Sequence, residues 1–163
     1  MVAPWQKGKD EFNLLRHRNA DNTKNDEYNC GGHALETFNI YLPYETQEEG
    51  VEIRYYCDMQ KYAMPLAHAA KKIRKDFPEL HIVKEEAIRA KAFNGNDFLV
   101  VAFRYARDDF HFWKLEPENI WSNKWGRSDI IDFQPYKAVF DIWETDYTDY
   151  DSDIIFFVKR RKR

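Results

Sequence analysis

A nearly continuous apolar run of β-branched and aromatic residues, from Phe98 to Tyr105, limits the folds open to this chain more than any other segment. A strand that is apolar at successive positions must be covered on both faces, so we expect a central, buried strand here. Asn94 and Gly95 precede it as a turn. Residues 110–115 and 120–125 have the same strand-like composition, with turn residues at 116–119 between them. These three runs predict an antiparallel meander.

Helical patterns lie before these strands. In residues 59–77 apolar side chains recur at spacings of three and four, and Pro78 follows as a stop signal. A shorter helix is predicted from about Cys30 to about Phe38. Because helices come first and strands second, the predicted fold class is α+β. Further short strands are predicted at residues 80–84, 88–93 and 154–158, with a less regular stretch from about 126 to 153.

The chain of 163 residues has the size of one domain with its own core. Residues 1–27 are polar and without periodicity, so we expect an extended N-terminal arm before a single α+β domain at 28–158. Residues 159–163 are all Lys or Arg and predict a basic C-terminal tail. The net charge of −3 excludes a generally basic nucleic-acid-binding protein. We therefore expect nucleic acid to bind, if at all, only through that tail.

The apolar runs and the cysteines of the sequence indicate the cellular compartment and bear on membrane and metal binding. No run approaches the roughly 18 to 20 apolar residues that a membrane helix needs, and no apolar leader follows Met1. Two cysteines, Cys30 and Cys57, give no disulfide framework, and neither has the short-spaced partners of a zinc site. We expect a cytoplasmic protein without membrane contact, metal or other cofactor. The oligomeric state stays open.

Cys30 is the candidate nucleophile. It lies between a segment rich in Asn, Asp and Lys and an apolar, helix-compatible run, which predicts the first turn of a helix. Amide groups at a helix N-terminus favour the thiolate, which is the attacking species. Gly31 and Gly32 are poor helix formers, so we interpret them as room for a substrate carbonyl beside the sulfur. The alternative is a small buried apolar side chain, which we favour for Cys57.

A thiol needs a base, and histidine has a suitable pKa. His111 alternates with Phe110 and Phe112, which would face the other side of the sheet. A strand histidine that projects toward a helix N-terminus makes a workable pair with a cysteine. The alternative is a half-buried histidine bonded to water or a carbonyl. His33 is also a candidate, one helical turn after Cys30. The other histidines are His17, His68 and His81.

Asn123 is the candidate third group. A hairpin through residues 116–119 would place it beside His111, where its amide oxygen could accept the Nδ1–H of the imidazole and hold the ring. Rival orienting residues are Asp108, Asp109, Ser122 and, as a weaker candidate, Asp132.

These segments together resemble a known family. Asn29 and Cys30 open a helix, Asp109-Phe110-His111-Phe112-Trp113 forms a strand, and Trp121-Ser122-Asn123-Lys124 precedes a glycine. The combination is similar to the papain-like cysteine hydrolases of the NlpC/P60 and CHAP group. It is particularly similar to small uncharacterised bacterial and phage proteins with Asn-Cys-Tyr, Asp-(Phe/Tyr)-His-(Phe/Trp)-Tyr and Trp-Ser-His-Lys-Pro-Gly segments. The resemblance covers less than a fifth of the chain.

The resemblance implies a papain-like α+β fold in which N-terminal helices pack on an antiparallel sheet. Cys30 would be the nucleophile at a helix N-terminus, His111 the base and Asn123 the orienting residue. Asn123 stands where the similar small proteins carry His, and it retains a hydrogen-bond acceptor. Papain-type enzymes place Gln six residues before the cysteine, and this chain has Lys24 there. The oxyanion would then need the Cys30 N–H and another donor, Asn25 or Asn29.

The implied activity is that of a thiol peptidase or amidase, or of an acyl transferase, that attacks a peptide or protein substrate through a thioester on Cys30. A hypothesis of a different class is a non-catalytic protein-binding module of phage or bacterial origin. It would use the basic tail and an aromatic surface. That surface would consist of Trp113, Trp121, Trp125 and Tyr136.

Overall fold

The computed structural model describes residues 28–43, 63–105, 110–124, 131–140 and 152–162, with residues 63–65 and 105 described by their backbone alone. The predicted arm at 1–27 and Cys57 lie outside these ranges. The described helices are α1 (Cys30–Ala34), α2 (Ala63–Asp76), α3 (Glu85–Arg89) and a 3-10 helix (Tyr136–Val139). The described strands are β1 (His81–Val83), β2 (Phe98–Tyr105), β3 (Phe110–Leu115), β4 (Ile120–Lys124), β5 (Ile131–Pro135) and β6 (Ile155–Arg160).

The described strands form one sheet in the order β1-β6-β2-β3-β4-β5. Each neighbouring pair is antiparallel. The apolar strand β2 lies inside the sheet between β6 and β3, as its composition predicts, and the meander β2-β3-β4 is present. The predicted α+β class with an antiparallel sheet is confirmed.

Apolar side chains cover both faces of the sheet, and each face contacts different helices. The face toward α1 and α2, here called the α1 face, includes Val101, Phe103 and Phe112, which cluster with Cys30 and Ile73. The opposite face, here called the α3 face, is covered by α3 and the 3-10 helix. Its side chains include Ala102, Trp113, Leu115 and Trp121, which cluster with Ile88 and Val139.

The helix α2 has a buried stripe and a basic outer surface. Ala69 and Ile73 are buried against the sheet, whereas Lys71, Arg74 and Lys75 are exposed. It ends one residue before the predicted end at Phe77, and residues 59–62 lie outside the described ranges. None of the helices in the described ranges is both long and apolar enough to cross a bilayer.

Three predicted elements differ from the observed ones. The first helix ends at Ala34 rather than Phe38, because Glu36 and Phe38 adopt left-handed φ angles of 58° and 54° that no α-helix continues. The predicted strand at 88–93 is wrong, because α3 occupies residues 85–89 and Ile88 is the side chain that it buries. The stretch predicted to be irregular contains β5 and the 3-10 helix.

The last strand, β6, continues past residue 158, where we expect the domain to end and the basic tail to begin. Lys159 and Arg160 are the last residues of β6. The guanidinium of Arg161 contacts the Glu36 carboxylate and donates from Nε to the Gly95 carbonyl oxygen at 3.0 Å. Of the four residues of this tail that the structure describes, Lys159, Arg160 and Arg161 are therefore integrated into the sheet and its edge.

Candidate functional site

Asn29 builds the N-terminus of α1. Its Oδ1 accepts hydrogen bonds from the backbone N–H groups of Gly32 and Tyr41, each at 3.0 Å. Its Nδ2 donates to the Tyr41 carbonyl oxygen at 2.8 Å. The first bond is a normal N-cap, and the other two attach the chain that returns over the helix at residues 39–41. Asn29 therefore positions the segment that carries Cys30.

The two glycines after Cys30 are explained by this returning chain. A Cβ at Gly32 would lie 1.9 Å from the carbonyl oxygen of Asn39, which is impossible without moving the backbone. A Cβ at Gly31 would lie 3.1 Å from both the Cβ and the carbonyl oxygen of Tyr41. The glycines therefore admit the protein's own chain, and this close approach explains them without a substrate.

Cys30 is the first residue of α1, at the helix N-terminus that the sequence predicts. It is not in a disulfide, and 4% of its surface is exposed. The side chain belongs to the apolar cluster of Phe110 and Phe112, on the α1 face. Cys30 therefore lies in the first turn of a helix and packs against apolar side chains.

His111 lies on the opposite side of the sheet from Cys30. Its ring contacts the ring of Trp113 edge to face, with centroids 4.7 Å apart, and its cross-strand neighbour is Arg104. The Arg104 guanidinium donates to the Val139 carbonyl oxygen at 2.8 Å, on the α3 face. Because side chains alternate along a strand, His111 points away from the α1 face to which Phe110 and Phe112 belong. The structure does not bring the predicted base to the predicted nucleophile.

The structure does bring His111 and Asn123 together. The imidazole Nε2–H donates to Asn123 Oδ1 at 2.9 Å, so the nitrogen involved is Nε2 and not the Nδ1 that we expected. Gln134 Oε1 accepts from Trp113 Nε1 at 3.0 Å and is 3.5 Å from Asn123 Nδ2. Burial lowers the pKa of His111 to about 4, although the Asn123 hydrogen bond raises it in part. This imidazole is neutral at pH 7 and belongs to a buried polar network.

His33 is the imidazole on the same side as Cys30. Its Nε2 lies 2.8 Å from the hydroxyl oxygen of Ser122, and that hydroxyl donates to Glu116 Oε1 at 2.7 Å. Since the serine proton goes to the carboxylate, the contact with His33 is an Nε2–H donating to the serine oxygen. The second ring nitrogen, Nδ1, is then the basic one. Residues three apart on a helix share a face, which is the relation of His33 to Cys30.

Positive charges surround this imidazole. Burial, followed by the charges of Lys114 and Lys124, holds the pKa of His33 well below its ordinary value of 6.5. Lys124 is fully buried, and its ammonium donates to the Tyr28 carbonyl oxygen at 2.5 Å. Lys114 Nζ is 3.9 Å from Glu116 Oε1. His33 is therefore neutral at pH 7, the form that can accept a proton, beside cations that favour an anion.

The remaining predicted residues are elsewhere or outside the described ranges. Asn25, Asp108, Asp109 and His17 lie outside them. His68 is on the exposed side of α2 and His81 is exposed on β1. The sequence predicts only a turn at Glu116 and a strand at Lys124, because a buried lysine has no sequence signature that distinguishes it from a surface one. No group of three or more His, Cys, Asp or Glu within the described ranges is arranged to hold a metal ion.

The predicted aromatic surface is wrong for two of its members. Trp113 and Trp121 have 1% and 0% of their surface exposed. The Trp121 indole N–H donates to the Tyr136 carbonyl oxygen at 2.7 Å, and Trp125 lies outside the described ranges. The two rings belong to the core of the α3 face.

The α1 face of the sheet thus carries a thiol, an imidazole, a hydroxyl and a carboxylate on adjacent elements. Comparison with known proteins gave no relative. No protein-family model matches the chain, and no curated protein or solved structure matches it.

Proposed function

We propose that this protein is a cysteine-dependent hydrolase of amide or isopeptide bonds with a papain-like fold, in which Cys30 carries the acyl group as a thioester. The observation that supports it is the hydrogen-bond chain from His33 through Ser122 to Glu116, which begins one helical turn after Cys30. A nucleophile, a base and a group that orients the base are the parts that covalent acyl transfer requires.

In this proposal the base is His33 instead of His111. The bond from Nε2–H to Ser122 fixes the tautomer of the ring and leaves Nδ1, on the residue one helical turn after Cys30, as the atom that takes the proton. Glu116 accepts the hydrogen bond of the Ser122 hydroxyl and so fixes the direction of that hydroxyl. His111 and Asn123 act on the other face as part of the core.

The reaction has two acyl-transfer steps. His33 Nδ1 removes the Cys30 proton while the sulfur attacks the carbonyl carbon, and the positive end of the α1 dipole stabilises the oxyanion. The C–N bond then breaks, and His33 gives its proton to the leaving amine. Water, deprotonated by His33, attacks the thioester, and the carboxylic acid and the Cys30 thiol are released. An amine in place of water would give acyl transfer with the same residues.

An activated ester tests the proposal without knowledge of the natural substrate. In a Cys57→Ser background Cys30 is the one cysteine, and p-nitrophenyl acetate should give a burst of p-nitrophenol and an acetyl adduct on Cys30 by peptide mass spectrometry. Cys30→Ala should abolish both with the fold retained. Because the sulfur is nearly buried, acylation should depend on transient opening of the site. An equal burst from Cys30→Ala, or an adduct confined to surface lysines, would end the proposal.

A further inference from the structure

The strand β1 is an edge of the sheet. Among the described strands it pairs with β6 alone, and 47% of the Ile82 surface is exposed. The outer edge of such a strand presents N–H and C=O groups to any chain that can pair with it. An exposed apolar residue in the middle of this edge adds to its capacity for association.

Two grooves flank β1, one on each face of the sheet. On the α1 face a groove of about 630 Å³ runs between α2 and Ile82, and Ala67, Ala70 and Pro78 form its apolar part. On the α3 face a groove of about 760 Å³ adjoins Val83. Its apolar floor is Phe93, Phe98 and Val158. A strand added beside β1 would direct alternate side chains into the two grooves.

The rims of both grooves are basic. Lys71, Arg74 and Lys75 line the first groove, and no acidic side chain is among its lining residues. The second groove is lined by the four residues Lys159 to Lys162 and by one carboxylate, Glu79. Glu79 lies 4.0 Å from Lys159 and 3.8 Å from Lys162, so it offsets part of that charge. The net charge of the residues that line each groove is therefore positive.

We infer that the β1 edge binds an extended acidic segment of a partner protein by strand addition. The backbone of the segment pairs with β1, its apolar side chains enter the grooves, and its carboxylates meet the basic rims. Nucleic acid would be attracted by the same cations, but bases bind by stacking on exposed rings. The Phe98 ring in the groove is covered by the Arg160 guanidinium, 5.0 Å from its centroid. The edge, the apolar floors and the charge together favour the peptide.

A fluorescein-labelled peptide of alternating Glu and Val residues is the probe, and binding is followed by fluorescence anisotropy. Ile82→Asn should weaken binding by at least about tenfold, because it removes the central apolar contact without changing the charge of the site. Ile40→Asn is the matched control, since Ile40 has 46% of its surface exposed outside the two grooves. The pair Lys71→Glu and Arg74→Glu should weaken binding as strongly, and they test the site independently if Ile82→Asn does not fold.

The backbone contribution is tested by N-methylating alternate residues of the probe, which removes its N–H donors in one of the two registers. Binding should be lost for one methylation pattern and retained for the other. Equal binding of both patterns, or equal loss with Ile40→Asn and Ile82→Asn, would overturn strand addition. An oligothymidine that displaces the probe and binds more tightly, with a steep dependence on salt, would make this a nucleic-acid surface instead.

Discussion

The imidazole of His33 and the hydroxyl of Ser122 lie 2.8 Å apart, joining α1 to β4 across 89 positions of sequence. Both side chains are buried, so the contact fixes the rotation of α1 against the sheet. It also decides which nitrogen of the ring is basic. The helix that carries Cys30 is thus attached to the sheet by the same polar chain that would orient its base.

Ser122→Ala should interrupt this chain. The His33 N–H would lose its buried acceptor, at a cost of about 1 to 3 kcal/mol in the free energy of unfolding. Acylation of Cys30 should slow by roughly 10- to 100-fold because the ring is no longer held. Glu116→Gln keeps an acceptor for the serine and should have the smaller effect on both quantities. Urea unfolding and the p-nitrophenol burst measure them, and an unchanged burst rate in Ser122→Ala would contradict the orienting role.

Gly32→Ala should be strongly destabilising, because its Cβ would overlap the Asn39 carbonyl oxygen. We expect a loss of about 3 kcal/mol or more in the free energy of unfolding. Gly31→Ala is the matched control, because its Cβ would be only tight against Tyr41 and should cost about half as much. Chemical denaturation of the two variants makes the comparison. Equal stability would show that the returning chain does not press on the helix as described.

Asn29→Ala should remove both the cap of α1 and the attachment of Tyr41. The cap alone is worth about 1 kcal/mol, and the two partly buried bonds to Tyr41 raise the expected loss to about 2 to 3 kcal/mol. Asn29→Ser can still cap the helix but cannot reach both the N–H and the carbonyl oxygen of Tyr41. Its stability should therefore lie between those of the parent protein and Asn29→Ala. A serine variant as unstable as the alanine variant would mean that the cap contributes nothing. Thermal and urea unfolding distinguish these results.

The free energy of unfolding should decrease as the pH is lowered from 6.5 to about 4. The pKa of His111 is about 4 in the folded protein and 6.5 when unperturbed, so the unfolded chain binds more protons in this range. The contribution is complete above pH 6.5 and is lost as the pH falls toward 4, to a total of about 3 kcal/mol. His33, whose pKa is also lowered, adds in the same direction. Unfolding free energies from pH 4 to 7 should show a shallower slope in His111→Gln, and an unchanged slope would contradict its burial as a neutral ring.

Local pattern was sufficient to predict the central strands and the neighbourhood of His111. Phe98–Tyr105 is apolar on both faces, and the turn at 116–119 is short enough to place Asn123 beside His111. Local pattern was insufficient where an element is short. The strand predicted at 88–93 is preceded by Glu85, whose carboxylate lies 2.8 Å from Arg89 in a helical pairing. In β5 the signal was present, since Ile131 and Phe133 alternate with Asp132 and Gln134, but those polar side chains are also buried.

The side of the sheet on which α1 lies could not be read from the sequence. Alternation correctly separates His111 from Phe110 and Phe112, but it does not say which set faces the helix. The apolar surface of α1 selects the phenylalanines, and His111 is left on the α3 face. Because α1 packs on this face, Ser122 lies within hydrogen-bond distance of His33. This contact joins residues far apart in sequence, which no local pattern reports.

The central claim is that Cys30 works with His33 and not with His111, and single-turnover acylation by p-nitrophenyl acetate tests it most directly. His33→Gln and His111→Gln are compared in the Cys57→Ser background, at a temperature where both variants are folded by circular dichroism. We predict that His33→Gln slows acetylation of Cys30 by at least about 100-fold, whereas His111→Gln stays within about threefold of the parent. A large loss in His111→Gln with His33→Gln unaffected would contradict the account.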